Sequence, residues 1–148
     1  MSKSDAFEAD LLLLSFNGTP IANLADNAAA SPATSLYLAL HTADPGEAGN
    51  QSTSEVAYTG YARKAVLRTS AGFTISGSSP TQAATAADND FPPCGADQTG
   101  AQVATYFSVG PGASGATKIM YSGPITPTIV LNNGVTPRLS AGTKCTED

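Results

Sequence analysis

In Ser35-Leu36-Tyr37-Leu38-Ala39-Leu40-His41-Thr42 leucine stands at every second position from 36 to 40, and Ala43-Asp44-Pro45-Gly46 follows at once. Alternation with period two puts Leu36, Leu38 and Leu40 on one face of an extended strand and Tyr37, Ala39 and His41 on the other. Proline fixes φ and glycine tolerates the left-handed angle, so residues 43–46 close the strand as a turn. The pattern recurs in short pieces. Residues 61–68 read as a strand with Tyr61, Arg63, Ala65 and Leu67 on one face, and Phe73-Thr74-Ile75-Ser76 as another. The low-complexity run 77–87 fits either a loop or an edge strand. Residues 101–109 and 117–122 read as a pair joined by the Gly/Pro loop 110–116. Residues 124–131 and 137–144 read as a second pair around Asn132-Asn133-Gly134, a strong hairpin signal. Short strands with this punctuation predict a mainly β domain over residues 35–148, an antiparallel β-sandwich or barrel. Helices alternating with strands, heptads, Gly-X-Y triplets and internal repeats are all missing from the sequence, so a fibre shaft or a solenoid is not expected.

The first 34 residues read differently. Phe7, Leu11 and Leu14 follow the helical spacing i, i+4, i+7, with Asp5 and Glu8 as a capping box and Asn17-Gly18 as the stop. A short N-terminal α-helix is therefore expected over residues 5–16. Leu12, Leu13 and Phe16 widen its apolar surface beyond one stripe, which calls for burial on more than one side. Phe7, Leu11, Leu12, Leu13, Leu14 and Phe16 are accordingly candidate interface residues, either within the domain or against a partner subunit. Residues 22–34 form a small-residue linker in which Pro32 opposes a long helix. Residues 1–34 are expected to act as an interface arm.

Charge narrows the function classes. Only 13% of the 148 residues are charged, about half the globular average, and the net charge is −5. The seven basic residues are scattered from Lys3 to Lys144, without the cluster that a phosphate backbone or an anionic membrane surface requires. No apolar run approaches a membrane span, and the start lacks the pattern of a signal peptide. No nucleic-acid or membrane partner is expected, and synthesis in a cytoplasm is. Cys94 and Cys145 are too few and too far apart for a zinc or redox motif; whether they pair is left open.

Sites of chemistry are weak throughout. His41 is the single histidine, and no Gly-x-Ser-x-Gly elbow exists to present a nucleophile to it. Gly110-Pro111-Gly112-Ala113-Ser114-Gly115 matches G-x-G-x-x-G in form, but strand-like residues follow it and no acid stands between residues 98 and 146. Asp88-Asn89-Asp90 opens like a calcium loop, yet Pro93 and Thr99 stand where the loop needs Gly and Glu. Tyr58 and Tyr61 flank Thr59-Gly60 and are either exposed rings or packing at a strand start. No catalytic residue, cofactor or metal is expected. Arg63 is expected to form a structural ion pair with Asp44 or Glu55.

The run Leu36 to Gly46, with Glu55-Val56 and Tyr58-Thr59-Gly60-Tyr61-Ala62-Arg63, resembles a family of small structural proteins of tailed-bacteriophage virions, often labelled tail-fibre proteins. Asn89, Phe91 and Pro92, and the late Asn133-Gly134, extend the likeness over roughly residues 35–141. The resemblance implies a non-enzymatic virion component present in many copies as a homo-oligomer, localised to the particle. A compact module without a shaft suits a capsid decoration or cement protein bound to the major capsid protein. The alternative is a tail-associated or tail-fibre module, bound to tail proteins and involved in host-receptor binding.

Overall fold

The computed structural model describes residues 2–17, 19–22, 24–25, 33–77, 80–96 and 102–147, without the side chains of residues 2, 12, 14–16 and 147. In chain order the elements are β1 (Ser2–Lys3), α1 (Asp5–Asn17), β2 (Ser35–His41), β3 (Lys64–Leu67), β4 (Phe73–Ser76), β5 (Thr81–Thr85), β6 (Asn89–Asp90), β7 (Gln102–Gly110), β8 (Tyr121–Leu131), β9 (Arg138–Leu139) and β10 (Lys144–Glu147). All strand pairs are antiparallel and fall into a five-stranded sheet, β1-β8-β7-β2-β3, a three-stranded sheet, β10-β5-β4, and the ribbon β6-β9. The molecule is mainly β and sandwich-like, not a closed barrel.

The expected strand at 35–42 forms as β2 and lies between β7 and β3. Leu38 and Leu40 enter the core with Val56, Tyr58, Val66, Phe91, Phe107, Val109, Leu131 and Leu139. Phe73 and Cys145, from the smaller sheet, pack onto the same cluster. Burying a side chain such as Leu38 or Leu40 contributes about 1.5–3 kcal/mol. The core thus joins residues far apart in sequence, and it lies between the sheets.

Four local expectations change. The strand expected at 61–68 starts only at Lys64, because Arg63 turns its side chain into a polar network and Tyr61 serves the same network. Within the run expected as loop or edge strand, Thr81–Thr85 form β5, the middle strand of its sheet, where small Ala and Thr side chains fit between two neighbours. Residues 121–131 form one strand that pairs with β7 along its length, from Val109↔Tyr121 to Gln102↔Leu131, with a bulge between Ala104 and Tyr106. Pro124 and Pro127 do not interrupt it, since beyond β1 its outer side has no partner strand among the described residues that needs a donor. Residues 137–144 therefore do not pair with residues 124–131: β9 pairs with β6, and β10 with β5. A tight turn does form at Asn132–Gly134, with Gly134 at φ 79°, but the chain then runs beside residues 91–94.

The polar stretch 47–59 folds back over the sheet. Gln51, Val56 and Tyr58 are buried. The helix spans Asp5–Asn17, but its cap is Ser4, one residue before the expected Asp5. Ser4 Oγ accepts the Phe7 N–H at 3.3 Å and donates to the Ile119 carbonyl, so one hydroxyl both starts the helix and fastens it to the body.

Candidate functional site

The densest polar construction among the described residues is centred on Arg63. Its side chain is 2% exposed, and Glu55 beside it is 17% exposed. Nε donates to Glu55 Oε1 at 2.7 Å and one terminal nitrogen to Oε2 at 2.8 Å, the planar fork-on-fork geometry that makes arginine–carboxylate pairs strong. The remaining donors reach a loop about fifty residues further along the chain. Nη1 bonds the Gly112 carbonyl and Thr117 Oγ1, both at 3.0 Å, and Nη2 bonds the Gly115 carbonyl at 2.7 Å. The loop that matches G-x-G-x-x-G thus turns its carbonyls, and not its N–H groups, toward a cation supplied by its own chain.

Gln51 completes the junction. Its N–H donates to the Thr117 carbonyl at 2.8 Å, its amide nitrogen to the Tyr37 carbonyl at 3.0 Å, and its amide oxygen accepts from Thr117 Oγ1 at 2.7 Å. Space for that amide exists because residue 110 is glycine: a Cβ there would lie 2.4 Å from the Gln51 side chain. Tyr61 donates to Glu55 at 2.9 Å and accepts the Leu40 N–H at 3.1 Å, joining the ion pair to β2. Burial, chiefly, pushes the Tyr61 phenol far above its ordinary range, so it remains a donor.

His41 lies under the same loop, fully buried. Its Nδ1 is 2.8 Å from the Thr53 carbonyl, which can only accept, so Nδ1 carries the proton; Nε2, 2.7 Å from Ser108 Oγ, then accepts. Burial lowers its pKa below the ordinary 6.5, with smaller opposing effects from the Thr53 carbonyl and Glu55. Among the described residues no buried side-chain polar atom lacks a hydrogen-bond partner. Chemically, the assembly is a set of cross-links. It holds loops 42–56 and 111–118 side by side at one end of the larger sheet.

Asp44, the other candidate partner of Arg63, accepts the Gly46 N–H at 2.9 Å and serves the turn. Asp88 and Asp90 grip Arg138 across the β6–β9 ribbon, at 2.9 Å for both Asp88 Oδ2 and Asp90 Oδ2. Tyr58 is buried, donates to the Pro92 carbonyl at 2.7 Å and packs edge-on against Tyr61. Cys94 and Cys145 are both thiols; Cys94 lies in the core, where burial raises its pKa.

The helical candidates divide. Phe7 is buried and packs edge-on against Tyr121 at 5.8 Å, so its ring is spent inside the domain. Asp10 pairs with Lys118, and the Asp5 N–H donates to the Glu47 carbonyl, which fixes the first turns of α1 to the body. Leu11 is half-buried and Leu13 is 40% exposed. The side chains of Leu12, Leu14 and Phe16 lie outside the described residues. Gln51, Thr117, Gly112 and Gly115, which the sequence reading missed, carry no charge, and all four act partly or wholly through the backbone. The glycine spacing of 110–115 is the one sequence signal that marks their loop.

Fold and site together define a structural β-module stiffened by buried polar cross-links. Residues 16–144 match the family described as Podophage GP4 fiber I protein gp80. The chain belongs to this family and is a structural protein of the phage virion. No curated protein matches it.

Proposed function

We propose that this chain is a non-enzymatic component of the tail-fibre apparatus, with tail proteins as its partners. The family match over residues 16–144 carries this reading, because the family is named for a fibre protein. On this reading the fibre role is preferred to capsid cement, for which the absence of a shaft is the main physical argument. The cross-linked loops support it from another side. A surface that must meet a partner repeatedly in one geometry loses less entropy when it is already fixed, and Arg63 fixes two loops at once.

The contact surface is then the exposed rim of those loops, Thr42 to Asp44 and Ala113 to Ala116, whose side chains are small. Such groups have few rotamers to lose when covered. Gold-conjugated antibody against the chain, applied to intact particles, tests the assignment. Label at the tail supports it, and label spread over the head overturns it.

A further inference from the structure

Sheet edges invite further strands, and natural proteins block them with proline, charge, bulges or brevity. The described edges of this molecule can be compared on that basis. Beyond β1, the outer side of β8 carries Pro124 and Pro127. On β3, Lys64 opens the strand and Arg68 follows it; Lys144 and Glu147 mark β10, and β6 and β9 are two-residue strands with Asp90 and Arg138. Only β4 has no such device. It holds neither proline nor charge, and residues 69–87 around it contain no Asp, Glu, Lys or Arg. Ile75 in its middle is 66% exposed, the most exposed large hydrophobic side chain described.

The hydrogen-bond alternation shows which groups face outward. The Ala86 N–H donates to the Gly72 carbonyl, so Gly72, Thr74 and Ser76 turn toward β5 and the backbone of Ile75 turns away from it. An apolar groove of about 620 Å³ opens alongside, lined by Phe73, Ile75, Ala83 and Cys145 from this sheet and by Leu36 and Val109 from the larger one.

We propose that β4 pairs antiparallel with β4 of a second copy of this chain across a two-fold axis at Ile75. The two Ile75 residues exchange N–H···O=C bonds and the two small sheets become one of six strands. A second copy fits because such pairing is self-complementary: each edge offers one outward donor and acceptor at the same residue. Residues 69–87 carry no charge, and the charged side chain that lines the adjoining groove is the cationic Arg68, so the paired strands themselves bring no carboxylates together between two chains of net charge −5. The proposal is independent of where on the particle the protein sits.

Sedimentation of the purified full chain, in a dilution series up to ~1 mM where even millimolar association is visible, tests it. The wild type should pass from monomer to dimer. Ile75→Lys and Ile75→Glu each place like charges directly opposite one another at the axis, and each should associate at least about tenfold more weakly, with an unchanged melting temperature. An equimolar mixture of the two should recover the dimer, while Leu67→Lys, at the exposed end of β3, should dimerise like the wild type. A wild type that stays monomeric throughout overturns the proposal. So do Ile75 variants that dimerise as well as the wild type, or a mixture that does not recover.

Discussion

Arg63 shows how much a single side chain can organise when it is buried with its carboxylate. Removing the arginine alone leaves Glu55 charged in a poorly hydrated site, which typically costs about 3–5 kcal/mol. Arg63→Met should therefore lower the free energy of unfolding by that amount in urea titrations. Adding Glu55→Gln should recover at least about 1 kcal/mol of the loss, because the second substitution removes the orphaned charge. Strictly additive losses would mean that the pair is not coupled. His41 offers a second handle, through pH. Its folded-state pKa lies below 6.5, so the unfolded chain binds the proton more readily. The corresponding stability is complete above pH 6.5 and declines as pH falls toward the folded pKa, by at most about 1.4 kcal/mol per pH unit. Melting temperature should thus fall between pH 6.5 and 5 in the wild type, and His41→Gln should show a flatter profile from a lower starting value. Asp90, whose carboxyl Arg138 holds below the ordinary 3.8, loses its contribution only at more acidic pH and leaves this window clear.

Elements are held to one another by similarly small numbers of groups. The start of α1 depends on Ser4, whose hydroxyl caps the helix and bonds the carbonyl of Ile119. Ser4→Ala should cost about 1–2 kcal/mol in chemical denaturation, toward the upper end because a carbonyl also loses its donor. A loss below a few tenths would show that the helix start does not rest on this residue. The strands at β2 and β4 were legible because their alternation is local, and Arg63 with Glu55 because opposite charges stand out in a sequence so poor in them. The pairing of β8 with β7 along its whole length was not. Pro124 suggests a break unless one knows that the strand lies on an edge, and that depends on the fold around it. Gln51 and the carbonyls of Gly112 and Gly115 were equally hidden, since a backbone acceptor leaves no mark on residue identity. Asp5 was misread as the cap because Ser4 and Asp5 are both good capping residues, and only the contact with Ile119 selects between them.

As a whole, the molecule is a small sandwich whose larger sheet carries a rigid loop end and whose smaller sheet ends, among the described residues, on the uncharged, proline-free strand β4. Its family places it among the structural proteins of the phage virion. The polar interior accounts for the rigid loops: Arg63, the buried charged residue among the described ones, cross-links segments far apart in sequence through Glu55 and the 112–117 loop. For a fibre component the consequence is a contact surface already in its final shape before a partner arrives. Gold labelling of intact particles is the direct measurement of that role. The fibre reading predicts label confined to the tail region, and label distributed over the head would contradict it.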